Sequence, residues 1–335
     1  MKRIVLAGAT LSLLFAGFAS AADTINAAGA TFPAPIYQKW FEEFKAKTGV
    51  QVNYQSIGSG GGIKQYTDAT VDFGASDMPM TDAQIAATKI KPLHFPTVLG
   101  AVVLTYNIPG VTAKLKLSGA TIAGIYMGKI TKWNDAALKA DNAGVNLPNT
   151  DIVVVHRAEG GGTSFIFTDF LSKVSPEWKS KVGASTSVSW PIGLGGQGNE
   201  GVVGMVKQTP GSIGYVELIY AVQQKLGFAD VKNAAGKFVT PSFESVTAAA
   251  AGMKEMPEDF RVSITNGPGD KTYPISSFTW MLIPNQIANP AKKKAITDFL
   301  TWMLGDGQKD AQGLSYAPLP SSVVAKEKKQ IALIK

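Results

Sequence analysis

The sequence contains no cysteine. Disulfides, thiolate-bound zinc and a cysteine nucleophile are therefore excluded, and so is a lipid anchor on an N-terminal cysteine. Histidine is nearly as scarce. His94 and His156 are the only two, too few for a His-rich metal site. Charged residues make up 17% of the chain, with no long run of either sign. Two short lysine clusters, at 291–294 and 326–330, lack the interleaved aromatics of a nucleic-acid patch and are expected on solvated helix faces. Beyond the N-terminus no apolar run is long enough to span a bilayer. Gly58–Lys64 lacks the spacing of a phosphate-binding P-loop, and Ser164 lacks a nucleophile elbow.

The chain has 335 residues, longer than one hydrophobic core usually supports, so two lobes are expected. It opens with Lys2 and Arg3, a short apolar stretch, and the small residues Ala19-Ser-Ala-Ala22. That is the layout of a secretory signal peptide over residues 1–22, cleaved after Ala21 or Ala22. Its removal leaves 30 basic against 25 acidic residues, a net charge of +5. An exported chain with no anchor is best retained in a periplasm.

From there, short β-like and helix-like segments alternate. Ile36, Trp40, Phe41 and Phe44 recur at helical spacing, residues 50–57 alternate as a strand, and 71–77, 151–156 and 212–217 read as short strands. Such alternation predicts an α/β fold, each lobe a mainly parallel sheet flanked by helices. Two long β runs, 95–110 and 275–284, are the natural crossing strands. The lobes are then 23–101 with 275–335, and 102–274. A ligand is expected in the cleft, beyond the strand ends.

Three places share one design: a strand, a glycine turn, a helix start. They are Ala28–Pro33, Ile57–Gly62 and the stretch Arg157–Phe165. Each offers free backbone N–H groups at the positive end of a helix, where an oxyanion is stabilised. In the first, Thr31 reads as an N-cap and Pro33 as part of the first turn. In the third, Thr163 and Ser164 open the helix. One such turn is also what any capped helix looks like; three with the same hydroxyl-plus-glycine chemistry point to a shared ligand.

Arg157 ends a strand beside the third turn, where its planar fork can grip tetrahedral oxygens, and Glu159 is placed to hold it. The alternative is a surface Arg–Glu pair. Asp77 ends the strand-like run 71–77. As a turn or cap aspartate it needs no ligand, but in an anion site it makes sense only as acceptor of a proton carried by the ligand. Hydrogen phosphate has that proton and sulfate does not. The G-x-G-x-x-G match at Gly193–Gly198 follows Trp190-Pro191 rather than a buried strand, which argues against a dinucleotide. Trp40, Trp133 and Trp178 read as core or rim rather than as a sugar platform.

The segments AGATFPAPIYQKW, NYQSIGSGGGIKQ, DFGASDMPM, RAEGGGTSFIFTDFL and WPIGLGGQGNEG together resemble the phosphate-binding proteins of bacterial phosphate-specific ABC importers. The resemblance extends through GKITKWND and YAPLP, over nearly the whole mature chain. It implies a two-lobed type II periplasmic binding protein that closes over inorganic phosphate, carries no cofactor or metal, catalyses nothing, and serves membrane permease subunits as a monomer. It implies phosphate contacts from Thr31, the Phe32 backbone and Ser59, with Ala30 beside them. Asp77 would accept the phosphate proton, Arg157 would be the charged donor supported by Glu159, and Gly161, Gly162 and Thr163 would supply helix-start donors. Gly161 and Gly60 stand where relatives often have serine, and Glu159 where aspartate is frequent. Receptors for sulfate or molybdate, and a secreted phosphoryl-transfer enzyme, are the alternatives.

Overall fold

A computed structural model describes residues 24–335. The signal-peptide reading lies outside them, and no helix among the described residues is long and apolar enough to cross a membrane.

The first half of the chain lays down β1 (Ile25–Gly29), α1 (Ala34–Thr48), β2 (Val52–Ser56), α2 (Ser59–Asp68), β3 (Phe73–Ser76), α3 (Asp82–Ala86) and the long β4 (Pro92–Asn107). There follow β5 (Lys116–Leu117), α4 (Gly119–Tyr126), α5 (Ala136–Asp141), β6 (Val153–Arg157), α6 (Gly162–Val174) and α7 (Pro176–Lys181). Next come β7 (Leu194–Gly196), α8 (Gly198–Gln208), β8 (Ser212–Glu217), α9 (Leu218–Gln223), β9 (Gly227–Phe228), β10 (Asp230–Lys232), β11 (Phe238–Val239) and α10 (Phe243–Ala251). The chain ends with β12 (Ser276–Pro284), α11 (Pro290–Met303), two short 3-10 turns and α12 (Ser321–Ile331).

The main sheet runs β2-β1-β3-β12-β4-β8-β6-β7. Its outer strands are parallel on both sides: β1 pairs with β2 and β3, and β6 with β7 and β8. Each parallel step is bridged by a helix, as parallel connections require. The two central strands are antiparallel, and β4 belongs to both halves. Pro92–Ala101 pairs with β12, whereas Val102–Asn107 pairs with β8. The chain returns beside that switch, where Val102 N–H donates to Ile275 O at 2.8 Å. A run buried on both faces is uniformly apolar, which is why β4 shows no alternation.

On α1, Ile36, Tyr37, Trp40, Phe41 and Phe44 are buried in one stripe. Burying such a side chain contributes roughly 2–3 kcal/mol. Gly49 ends the helix at φ 79°, its N–H closing on Lys45 O at 2.8 Å. Trp40, Trp133 and Trp178 are fully buried.

Two details depart from the sequence reading. Thr31 is not a cap: α1 begins at Ala34 behind Pro33, with no side-chain cap. The cluster at 326–330 is only partly a solvated face, because Glu327 and Gln330 point inward and are buried. The stretch Met256–Arg261, from the middle of the chain, leans on elements of the first and last segments. Lys326 Nζ donates to Met256 O (2.8 Å), Trp280 Nε1 to Phe260 O (2.9 Å) and Arg261 Nη1 to Met80 O (2.9 Å).

Candidate functional site

Four helices begin at the central cleft, two from each side: α1 and α2 after β1 and β2, α6 and α8 after β6 and β7. Within each half, parallel strands put their following helices at one common end, and the three antiparallel steps between β3 and β8 set the two halves running in opposite directions. In α6 the first intrahelical bond runs from Phe165 N to Gly161 O (3.2 Å). The N–H groups of Gly162, Thr163 and Ser164 precede it and have no helical acceptor. The sides are closed on each other, with Gly60 N–H donating to Gly160 O at 2.8 Å.

Thr31 and Phe32 present their backbone through tyrosines. Tyr54 Oη donates to Ala30 O, Tyr220 Oη to Thr31 O and Tyr316 Oη to Phe32 O, each at 2.6 Å. In a trans peptide the following N–H points away from the carbonyl. Gripping the carbonyls of Ala30 and Thr31 therefore turns the N–H groups of Thr31 and Phe32 the other way.

Asp77 is fully buried just past the end of β3. Thr279, on β12, donates to its Oδ1 at 2.7 Å. Ser59 Oγ donates to Oδ2 at 3.3 Å and accepts the Asp77 N–H at 3.0 Å. Burial drives the Asp77 pKa up to about 7, against the opposing pull of the Thr279 hydrogen bond, the Arg157 charge and Ser59.

Arg157, at the end of β6, is also buried. Its N–H donates to Tyr215 Oη (3.1 Å), which in turn bonds Ser164 Oγ (2.7 Å). Its Nη1 donates to Thr163 Oγ1 at 3.3 Å and its Nη2 pairs with Glu159 Oε1. Glu159 is braced by the Gly198 N–H, 3.3 and 3.2 Å from its two oxygens. Arg157 Nε has no partner. A buried, unpaired guanidinium donor is costly, and an acceptor from outside the chain would satisfy it. Burial also lowers the Arg157 pKa from its ordinary value.

Thr31, Phe32, Ser59, Asp77, Arg157, Gly162 and Thr163 are thus brought together. Of the expected helix-start donors, Gly161 is not placed as one, and the N–H of Ala30, beside Thr31, is also engaged. Gly161 N–H is spent on Thr186 O (2.9 Å), and Ala30 N–H on Ala75 O (3.0 Å). The absence of serine at 161 also has a local reason: a Cβ there would sit 2.6 Å from Arg157 Cζ. At Gly162 the approach is closer still. A Cβ would meet Ser59 Oγ at 2.3 Å and Asp77 Oδ2 at 2.5 Å, so only glycine lets α6 close on them.

A model of the PBP superfamily domain matches residues 16–307. The phosphate-binding protein PstS of Xylella fastidiosa is 48% identical over 302 residues, 90% of this chain and 82% of its own length. That of Pasteurella multocida is 47% identical over 320 residues, 94% of this chain and 92% of its own. The chain belongs to the PstS family of the PBP superfamily. Its fold is also that of a high-affinity periplasmic phosphate-binding protein solved with phosphate, at TM-score 0.74 and 22% identity, covering 92% of this chain and 93% of the other. A phosphate ABC transporter substrate-binding protein from Clostridium perfringens, also with bound phosphate, matches at TM-score 0.66 and 19% identity, over 89% of this chain and all of the other.

Several cleft residues of this PstS-family chain escaped the sequence reading. Asn199, Thr279, Tyr54 and Tyr220 are far apart in sequence and carry no motif of their own. Tyr54 and Asn199 lie within segments that carry the family resemblance, where nothing singles them out. The Gly193–Gly198 match was set aside for want of a strand, yet β7 and α8 make a fourth strand–turn–helix unit, with Gly198 at φ 68°.

Proposed function

We propose that this chain is an extracytoplasmic receptor that binds inorganic phosphate between its lobes and delivers it to the permease of an ABC importer. The observation that carries the reading is a donor-rich cleft with a buried carboxyl in it: Arg157 with its Nε unpaired, helix-start N–H groups, and Asp77. A monoprotonated tetrahedral oxyanion complements that set, taking donors on its oxygens and giving its single proton to Asp77. The names of the PstS relatives and the phosphate held by two proteins of this fold support the same ligand.

The contacts follow from placement. Thr31 and Ser59 offer hydroxyls, Phe32, Gly162 and Thr163 offer N–H groups, Arg157 offers its guanidinium, and Glu159 holds that guanidinium in position. The lobes are 23–101 with 275–335, and 102–274, consistent with the change of partner along β4 at Ala101/Val102. The protein acts in the periplasm, as a monomer, and performs no reaction on its ligand.

Calorimetry on ligand-stripped protein tests this. One phosphate per chain is expected, undisturbed by excess sulfate at pH 8. No binding of phosphate, or steady turnover of a phosphate ester, overturns the reading.

A further inference from the structure

Asn199, the second residue of α8, is fully buried and joins three separate parts of the fold. Its Oδ1 accepts the N–H of Glu217, at the end of β8, at 3.0 Å. Its Nδ2 donates to Thr31 Oγ1 at 2.8 Å and to Thr163 Oγ1 at 3.2 Å. A backbone N–H can only donate, so the Glu217 contact decides which end of the amide faces the cleft. Both amide protons are thereby directed at the two threonines, one on each side of the cleft.

A hydroxyl has one proton to give and two lone pairs that can accept. Thr163 Oγ1 already receives two donors, from Asn199 and from Arg157 Nη1. Thr31 Oγ1 receives one from Asn199. Both lone pairs of Thr163 are thus filled and only its proton is left to use, while Thr31 keeps its proton and one lone pair; the cleft is where an acceptor for those protons would sit.

We propose that Asn199 is a positioning residue that sets the polarity of the cleft: with Arg157 it fills the lone pairs of Thr163, and it fills one of Thr31, so that these hydroxyls turn their protons to the ligand and Asp77 is left to accept the ligand's own proton. This rests on the phosphate-receptor reading and deepens it. One amide, oriented by the end of β8, makes threonines from both lobes act as donors once the lobes meet. Selectivity for a ligand with a single proton then needs Asn199 as well as Asp77, because a hydroxyl free to turn would offer a second acceptor.

The test is Asn199→Asp, nearly the same shape with the polarity reversed. Its carboxylate still accepts from Glu217 N–H but draws both threonine protons away from the cleft. Phosphate binding is measured by calorimetry at pH 8 and pH 5.5, beside the wild type, and the ratio of the two dissociation constants is followed. We expect N199D to bind at least 100-fold more weakly at pH 8, with the ratio narrowing at pH 5.5 as the new carboxyl takes up a proton and can donate again. Asn199→Ala, which leaves the hydroxyls free to turn, is expected to lose about tenfold at both pH values. An N199D ratio within threefold of unity, or one equal to that of N199A and unchanged by pH, overturns the inference while leaving the receptor reading intact.

Should N199D not fold, a cycle of N199A with Thr31→Val and Thr163→Val decides. If Asn199 acts through these hydroxyls, adding N199A to the double valine variant causes no further loss; a full additional loss rejects the idea. Failure of the wild type to bind phosphate overturns the receptor reading and this inference with it.

Discussion

At the scale of single residues, the sharpest consequence concerns Asp77. Its pKa, raised to about 7 by burial, divides two kinds of behaviour in the ligand-free cleft. Above that pH Asp77 is a carboxylate, able only to accept, and a ligand without a proton leaves it facing a negative oxygen. Below it Asp77 is an acid that donates, and sulfate becomes acceptable. Sulfate is therefore expected to compete with phosphate at pH 5.5 and to fail at pH 8, measured by phosphate titrations in excess sulfate. Asp77→Asn, a permanent donor, should bind sulfate at both pH values and lose at least tenfold in preference for phosphate. Equal competition by sulfate at both pH values in the wild type would show that Asp77 does not read the proton. Thr279 belongs to the same scale. Its bond to Oδ1 holds the carboxyl in place, and its contribution was invisible in the sequence because it lies 202 positions away.

At the scale of elements, the start of α6 sets an opposition between stability and closure. Gly162 is the first residue of that helix, where alanine is ordinarily no worse than glycine and in a helix interior is better by about 1 kcal/mol. A methyl there would lie 2.3 Å from Ser59 Oγ in the closed form. Gly162→Ala is thus expected to leave the melting temperature of the ligand-free protein unchanged or slightly raised while weakening phosphate binding by 100-fold or more. Calorimetry and thermal unfolding on the same sample check this. A parallel loss in both would mean that the residue serves folding rather than closure. The three strand–turn–helix units read from the sequence were local features, recognisable from strand residues followed by glycine and hydroxyl side chains. The fourth, β7–α8, was missed because β7 is only three residues long, two of them glycine. Its pairing with β6, rather than any propensity of its own, makes it a strand.

At the scale of the whole molecule, the closing α12 carries a cost. Glu327 is buried and neither carboxylate oxygen has a hydrogen-bond partner. Burial raises its pKa well above the ordinary value. A carboxyl of this kind favours the folded state at acid pH, where both states are protonated. That advantage is lost as pH rises past the unfolded pKa, because only the unfolded chain then ionises freely. Glu327→Gln is expected to stabilise the fold at pH 7.5 and to change it little at pH 4, read by denaturant unfolding of the ligand-free protein. A gain of the same size at both pH values would point to packing instead. The run SSVVAKEKKQIALI announces a helix but not which of its charged residues turns inward.

The sequence by itself determined the class of fold, the crossing strands and most of the converging groups. Those depend on local patterns: apolar runs, helical spacing, and glycine beside hydroxyl residues where a strand meets a helix. Tertiary structure decided which of those groups are free to act. Gly161 reads as an available donor in the sequence, but a distant carbonyl, Thr186 O, occupies its N–H. Asn199, Thr279 and the tyrosines that turn the Thr31 and Phe32 peptides enter the cleft from elements 24 to 202 positions from their partners. A hydrogen bond takes its partner from space, and only the closed chain settles which donors remain unspent.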